Sequence, residues 1–397
     1  MKKILVIGGG HSDVPIIKAA VAYGLQVITT GNRPDHPGHV WAHKYIEGDY
    51  SKPDQMLDIA REEKVHAVVP GANDFAMISA SYVAQELGLG GFDSYETTLD
   101  LHEKDRFKVI ASRIGLPICD YQVVDTSGTE DLRIQPPCIV KPVDLTGGKG
   151  ISRMDLKVEL AQALKRARQL SRKSNVIVEE YFPGDLHSYS TVVVGGKVVF
   201  EYVDNEYCLF NPYLVSTSDN VARVPPGIIS ELKQATEALA VEMQLVNGVL
   251  HCQFMFNQRE IRILEYTRRP SGDLYGTVVQ MATGVAHNQI FIESALGTLD
   301  ASLSGLAIGK NPRRSVSRHC ISVTHSGDLK ALKISKKIRP YLVDLVQIAK
   351  FGANVNHLAA EKVAVAVLVY PDDKTMTEFT KNINSYLGSE VGPNDSI

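Results

Sequence analysis

The sequence predicts a mixed α/β and α+β protein, and three observations support this prediction. Short apolar runs alternate with helical patterns over roughly the first 90 residues, which is typical of a doubly wound parallel sheet. Later in the chain, paired strand-like runs flank short turns such as Gly195-Gly196, which indicates antiparallel hairpins. The chain has 397 residues, which is enough for about two or three domains.

The first part of the chain has the pattern of a parallel sheet covered by helices. A dinucleotide fingerprint after the first strand would need a third glycine where the chain has Asp13. It would also need an acid near the end of the second strand, where the chain has Thr29-Thr-Gly-Asn32. Bound NAD or FAD is therefore not expected, and the turn Gly8–Gly10 could hold an anionic substrate group or be purely structural. We predict strands at Lys3–Ile7, Leu25–Thr29, Tyr45–Glu47 and Ala67–Pro70, and helices at Val14–Tyr23, Pro53–Glu63 and Phe75–Leu87.

Composition argues against several classes of protein. Apolar residues make up 44% of the chain and charged residues 22%, and the formal net charge is -3, so binding to nucleic acid has no support. The five cysteines form no CxxC pair, which predicts reduced thiols and no structural zinc. The N-terminus runs straight into a strand, and no stretch approaches about 18 apolar residues. We therefore expect neither a signal peptide nor a membrane span, and a cytoplasmic location.

A strand followed by a glycine-rich loop lies before the middle of the chain. The apolar run Cys138–Val140 predicts a buried strand with Lys141 at its end, and Pro142 is expected to stop the ladder. The loop Thr146–Gly150 contains Lys149 between glycines, which let backbone N–H groups converge on an anion. By itself this pattern fits either a polyphosphate site or a hairpin turn with exposed lysines.

Two flanking elements carry further candidate residues. Lys104 falls on a helix predicted over Leu99–Ile114, which Gly115 closes. A strand from Asn175 ends in Glu179-Glu180-Tyr181-Phe182, and a carboxylate and backbone at such a strand end can contact the edge of an adenine. An exposed acidic strand end is the alternative. The same region predicts strands at Tyr121–Val124, His187–Val194 and Lys197–Val203, and a helix at Asp155–Lys173.

A later hairpin, Gly248–Phe256 with Arg262–Tyr266, ends in charged residues. Alternation places Gln253 on the same face of its strand as His251 and Met255. Glu265 ends the second strand and is followed by Arg268 and Arg269, and this order suits Mg²⁺ together with phosphate. An exposed ion pair is the alternative.

The remaining segments predict connections and a small terminal domain. Residues 205–225 are expected to be irregular, residues 301–314 to be a linker, and the tail from Gly388 to Ile397 to be frayed. Helices are predicted at Ile228–Met243, Leu274–Thr283, Ala286–Leu296 and Thr375–Leu387, and strands at Arg318–Thr324, Leu342–Ala349 and Val363–Tyr370.

Taken in order, these motifs resemble the ATP-grasp superfamily of carboxylate–amine ligases, which includes amino-acid ligases, purine-pathway carboxylase-type enzymes and biotin-carboxylase-like enzymes. The resemblance covers most of the chain. It implies a Rossmann-like N-terminal domain at 1–98, a two-lobed ATP-grasp domain at 99–310 with a lid at about 120–190, and a small α+β domain at 311–397. It also implies that the cofactors are ATP and Mg²⁺.

The resemblance further implies a role for each matching residue. Lys104 and Lys141 would contact the α- and β-phosphates, and Arg269 would stabilise the acyl phosphate and the tetrahedral intermediate. Gly147, Gly148 and Gly150 would close over the β- and γ-phosphates with Lys149 nearby. The adenine and ribose contacts would come from Glu179, Glu180, Tyr181, Phe182 and His187, and the metal contacts from Glu265, Gln253 and Thr267.

Two of these positions depart from the family pattern. The family usually has an acidic residue where this chain has Gln253, and an asparagine where it has Thr267. One formal charge is missing, so the sequence predicts that a second Mg²⁺ binds weakly, and it leaves open a nucleotide-binding protein with little turnover.

The expected function is an ATP-dependent ligase that joins a small-molecule carboxylate to an amine and releases ADP and phosphate. A purine-pathway carboxylase-type enzyme is an alternative, and a dehydrogenase is disfavoured. We expect a homodimer without nucleic-acid or membrane partners. Candidates for the acceptor site are Arg268, the loop Tyr207–Ser218, and the Gly8–Ser12 turn with Asn73.

Overall fold

The computed structural model describes residues 1–125, 132–221, 223–299, 313–356 and 361–393. Most of the predicted linker at 301–314 lies outside these ranges. Among the described residues, no helix is both long enough and apolar enough to cross a membrane.

The N-terminal part is a parallel sheet, as predicted. Its strands are β1 (Lys3–Ile7), β2 (Gln26–Gly31), β3 (Lys44–Glu47) and β4 (Ala67–Pro70), and its helices are α1 (Val14–Ala22), α2 (Pro53–Glu63) and α3 (Asp74–Leu87). The sheet has the order β3-β2-β1-β4, and every pairing in it is parallel. Ile4–Ile7 of the central strand β1 are completely buried, because helices cover both faces of the sheet.

The next segment corrects a prediction, because the single helix expected over Leu99–Ile114 is two helices. Helix α4 spans Tyr95–His102 and helix α5 spans Lys104–Arg113. Glu103 between them has extended backbone angles, with φ at -89° and ψ at 124°. Its buried carboxylate pairs with Lys173 Nζ at 2.5 Å, far along the chain. The break makes Lys104 the first residue of α5.

A small antiparallel sheet follows. Its elements are β5 (Tyr121–Val124), β6 (Cys138–Pro142), β7 (Ser152–Met154), helix α6 (Lys157–Leu170) and β8 (Val176–Glu180). The strand order is β5-β8-β6-β7, and Leu160 and Leu164 of α6 pack on one face. Strand β6 ends at Pro142, as expected, and Pro142 lies opposite Val176 as the last pair with β8.

The largest sheet combines strands from the middle and the end of the chain. Its order is β13-β12-β9-β10-β11-β14-β18-β16, and the sheet is antiparallel. The strands of this part of the chain are β9 (Asp185–Val194), β10 (Lys197–Tyr207), β11 (Thr217–Asp219), β12 (Gly248–Phe256), β13 (Ile261–Thr267), β14 (Ser315–Ser322), β15 (Gly327–Ile334), β16 (Leu342–Gln347), β17 (Asn354–Val355), β18 (Lys362–Tyr370) and β19 (Leu387–Gly392). The helices are α7 (Pro226–Glu242), α8 (Tyr275–Thr283), α9 (His287–Ala295) and α10 (Asp373–Lys381).

Two further expectations for this region were wrong. The segment 205–225 is not irregular throughout, since β10 continues to Tyr207 and β11 lies within it. The tail is ordered as far as Gly392, because β19 pairs with β15 in a small sheet of order β17-β15-β19. The large antiparallel sheet contains strands from both sides of the predicted domain boundary at 310/311. The domain boundaries remain a prediction.

Candidate active site

Three of the predicted motifs meet at one small cavity. Lys104, Thr146 and Glu265 line it together with Asp74 and His102, although these residues are far apart in sequence. The Lys104 ammonium donates a hydrogen bond to the carbonyl oxygen of Leu145 at 2.6 Å, directly before the glycine loop. Burial lowers the pKa of Lys104, and the nearby Glu265 carboxylate opposes this shift. A half-buried cation beside a glycine loop is suited to contact a phosphate.

The glycine loop has a backbone that requires glycine. Gly147, Gly148 and Gly150 all have positive φ angles, between 64° and 75°. A side chain at Gly148 would place its Cβ 2.3 Å from the carbonyl oxygen of Tyr213, so the loop lies directly against the segment that follows β10. Lys149 is exposed. The loop, which reaches the cavity through Thr146, therefore offers backbone N–H groups and the exposed Lys149 ammonium.

Glu179 occupies a different environment from the one predicted. Its side chain is buried, with only 2% of the residue exposed. Lys141 Nζ lies 2.6 Å from Glu179 Oε2, and Lys108 Nζ lies 3.1 Å from Glu179 Oε1. Burial opposes ionisation, but the two ammonium groups lower the pKa of Glu179 to about 2. The carboxylate therefore holds Lys141 in place and is not free to contact adenine.

Lys108 is a residue that the motif pattern missed. It lies four residues after Lys104 on α5, so both side chains project from the same face of the helix. The four-residue spacing from Lys104 was the signal in the sequence that could have identified Lys108.

The rest of the strand end is more accessible. Glu180 is exposed, and Tyr181 and Phe182 are half-buried beneath guanidinium groups. Arg153 lies 3.9 Å from the ring centre of Tyr181, and Arg262 lies 4.9 Å from that of Phe182. Aromatic side chains at an open strand end suit a flat ring, and the adenine contact remains a prediction.

His187 is buried within the large sheet. Its ring stacks on that of Phe254, with 5.3 Å between the ring centroids. Burial lowers the pKa of His187, so the imidazole is neutral at neutral pH. Its predicted position near the ribose remains untested.

The predicted metal residues lie side by side on the large sheet. Gln253 lies opposite Glu265, and Thr267 lies opposite His251. The carboxylate of Glu265 makes no hydrogen bond or ion pair with any described residue. Gln253 Nε2 donates to Glu206 Oε2 at 2.6 Å, and Glu206 was not among the predicted residues because it fell in the segment expected to be irregular. Burial raises the pKa of Glu206 to about 7, although Arg318 opposes the shift.

The carboxylates of Glu265 and Glu206 suit a magnesium ion because, in the described part of the chain, each has an oxygen without a protein partner. Among the described residues, the Glu265 carboxylate has no partner, and the buried Oε1 of Glu206 also lacks a hydrogen-bond donor. Mg²⁺ requires few protein oxygens, because substrate phosphates and water complete its coordination.

Arg269 is held at the cavity by the N-terminal sheet. Its Nε and Nη2 each lie 2.8 Å from an oxygen of Asp74, at the start of α3. His102 Nδ1 donates to the same carboxylate at 2.9 Å. Burial opposes ionisation of Asp74, but these two partners hold its pKa well below its usual range. Neighbouring Asn73 caps α3 by accepting a hydrogen bond from the Phe75 N–H, so it is structural.

The contacts of Arg268 do not support its predicted role at the acceptor site. The side chain is buried, and its guanidinium pairs with Asp93. Its guanidinium donates to Asp93 Oδ2 at 2.7 Å and to the carbonyl oxygens of Val249 and Val246 at 2.8 and 2.7 Å. These contacts satisfy the three guanidinium nitrogens, so we assign Arg268 a structural role.

The N-terminal glycine turn is filled by side chains of the protein itself. Asp13 Oδ2 accepts hydrogen bonds from the N–H groups of Gly9 at 2.8 Å and Gly10 at 2.9 Å, and Oδ1 accepts one from Ala72 at 2.8 Å. The His39 ring lies against Gly9, where an added Cβ would be 2.0 Å from it. The turn is therefore structural, and the open alternative of an anionic substrate group there is disfavoured.

Comparison with known proteins supports the fold. No protein-family model matches the chain. The formate-dependent phosphoribosylglycinamide formyltransferase of Burkholderia thailandensis is 30% identical over 193 residues, which cover 46% of this chain and 47% of that protein. The chain thus matches less than half the length of its curated relatives.

Solved structures match over almost the whole chain. The L-amino acid ligase from Bacillus licheniformis has a TM-score of 0.83 at 18% identity and 99% coverage of both chains. The phosphoribosylglycinamide synthetase from Anaerococcus prevotii has a TM-score of 0.78 at 17% identity, covering 98% of this chain and 100% of that chain. The expected ATP-grasp fold is confirmed.

The charge pairing of Glu179 predicts a specific effect on stability. Glu179→Gln leaves Lys108 and Lys141 without their carboxylate, which should cost about 3 to 5 kcal/mol of unfolding free energy at pH 7. The adjacent exposed Glu180→Gln is the matched control and should change it by less than about 0.5 kcal/mol. Urea unfolding monitored by circular dichroism measures both.

The contribution of the Glu179 pairing to stability should depend on pH. Because the folded pKa of Glu179 lies below the ordinary 4.5, its contribution is present above pH 4.5 and disappears as the pH falls toward 2. The stability difference between wild type and Glu179→Gln should therefore shrink over that range. Equal stability of the two proteins at pH 7 would contradict the assignment.

Proposed function

We propose that this protein is an ATP-dependent carboxylate–amine ligase that activates a small-molecule carboxylate as an acyl phosphate and releases ADP and phosphate. The observation that carries the proposal is the meeting of Lys104, the glycine loop and Glu265 at one cavity, with Arg269 held beside it. The fold supports it, because the structures that match include an amino-acid ligase and two kinds of purine-pathway synthetase.

The lysines would act on the nucleotide by neutralising its phosphates. Lys141 is fixed by Glu179, and Lys104 reaches the cavity from the start of α5. In the nucleotide complex, a phosphate oxygen would replace the Leu145 carbonyl as the acceptor for Lys104. Fixed donors of this kind stabilise charge without having to reorganise during the reaction.

Arg269 would act on the other substrate. Its guanidinium keeps N–H groups that Asp74 does not use, and these can contact the oxygens of an acyl phosphate. Mg²⁺, held by Glu265, would supply charge neutralisation between the phosphates. The glycine loop would exclude water, which would otherwise hydrolyse the activated carboxylate.

The alternatives differ in what supports them. A nucleotide-binding protein with little turnover is favoured only by the neutral Gln253 at the metal strand. A purine-pathway carboxylase-type enzyme would use the same site with a different carboxylate, and one relative is named as a formate-dependent phosphoribosylglycinamide formyltransferase. A dehydrogenase is disfavoured because Asp13 and His39 fill the glycine turn. The homodimer remains a prediction.

Nucleotide preference is the first test. Mg-ATP and Mg-ADP should raise the melting temperature, because the proposed site offers lysines and a glycine loop to polyphosphate. NAD and FAD should not raise the melting temperature, because Asp13 and His39 fill the glycine turn that a dinucleotide would need. Thermal-shift scans with each compound measure this, and stabilisation by NAD or FAD alone would refute the proposal.

Reaction products are the second test. With the correct acid and amine, the protein should release ADP and phosphate, and Arg269→Met should lower turnover about 10²-fold, comparable with the loss of one preorganised donor. Exposed Arg259→Met is the matched control and should retain activity. Chromatography of the spent nucleotide separates the outcomes, and AMP with pyrophosphate as main products would reject this mechanism.

A further inference from the structure

The sheet face that carries Glu265 also carries a carboxylate from a more distant strand. Gln253 on β12 lies opposite Glu265 on β13 and opposite Ser188 on β9, and Ser188 lies opposite Asp204 on β10. Residues directly opposite in an antiparallel ladder share one face, and so do residues two apart in a strand. Glu206 therefore projects from the same face as Gln253 and Glu265.

The contact between these side chains has a defined direction. The carboxylate of Glu206 can only accept, so the Gln253 amide nitrogen donates to its Oε2 at 2.6 Å. Glu206 is only 4% exposed, and its Oε1 has no hydrogen-bond partner. A buried carboxylate oxygen without a donor is costly, so this atom requires either a proton or a ligand that bears positive charge.

The neighbouring cations do not meet this requirement. Arg318 is buried nearby, but its Nη1 donates to the Gly272 carbonyl at 3.0 Å and lies 3.9 Å from Asp273. Lys362 pairs with Asp273 at 2.5 Å. Neither forms an ion pair with Glu206 among the described residues.

We propose that Glu206 supplies the second protein carboxylate of the magnesium site, together with Glu265, and that Gln253 orients it. This inference rests on the proposed function. It replaces the prediction of a weak second site, because the charge missing at position 253 is provided from β10.

The test counts bound ions with Mn²⁺ as the probe. Electron paramagnetic resonance of wild type with saturating ADP should show about two Mn²⁺ per chain, as in two-metal phosphoryl sites. Glu206→Gln should lose one ion, or bind it at least about tenfold more weakly, and should still bind ADP. Glu201→Gln on the exposed part of the same strand is the matched control and should keep the wild-type count.

A compensating variant gives the sharpest readout. Glu206→Gln combined with Gln253→Glu returns a carboxylate to β12, and it should recover the ion that the single variant loses. Should Glu206→Gln fail to fold, Glu206→Asp keeps the charge but shortens the reach, and its second ion should bind more weakly than in wild type.

The outcomes separate the two proposals. Two ions in wild type and an unchanged count and affinity in Glu206→Gln would overturn the role of Glu206 and leave the nucleotide site standing. A single ion in wild type would overturn it equally. If wild type bound neither ADP nor Mn²⁺ with ADP, the proposed function would fall as well.

Discussion

The burial of the Glu179 carboxylate between two ammonium groups is the constraint on which the proposed phosphate-binding side of the site depends. A carboxylate this deep in the protein is tolerated only when partners neutralise it. Its partners come from different elements, Lys108 from α5 and Lys141 from β6. The pairing therefore ties the small sheet to α5. Because Lys104 lies one helical turn before Lys108, it also fixes Lys104 and Lys141 relative to each other.

The N-terminal sheet acts in this protein as a support. Asp13 occupies the glycine turn, where related sheets bind a nucleotide phosphate. After β4, at the start of α3, Asp74 instead holds Arg269 with two parallel hydrogen bonds. His11, which follows this turn, contacts the Asp273 carboxylate. Ser12 Oγ accepts a hydrogen bond from the Asp273 N–H. The carboxyl edge of this sheet thus positions residues of the central part of the chain.

The sequence predicted elements well where the signal was local. Lys3–Ile7 and Ala67–Pro70 were placed correctly because a short buried apolar run between turns is enough to indicate a strand. The break at Glu103 was missed because helical periodicity continues across it, and its buried partner Lys173 is far along the chain. The strand β19 was missed for a similar reason, since it depends on pairing with β15.

The same distinction applies to the site. Lys104, Thr146 and Glu265 were identified because each belongs to a motif with its own order and spacing. Lys108 and Asp74 belong to no motif, and their importance comes from Glu179 and Arg269, which only the fold brings to them. Arg268 shows the converse error, because two adjacent arginines at a strand end looked equivalent although their side chains point to different partners.

The contact between Gln253 and Glu206 shows how a carboxylate on a more distant strand can lie on the same sheet face as Glu265. Strands β12 and β10 are separated by β9, so their backbones are about 10 Å apart. On β9, Gln253 lies opposite the small residue Ser188 and Glu206 lies opposite Leu186, so the two long side chains meet diagonally across that strand. The Ser188 hydroxyl donates to Asp204, which keeps it away from the amide–carboxylate contact. A neutral residue at position 253 is thus compatible with a fully charged metal site, provided that the neighbouring strands supply both a small residue and an acid.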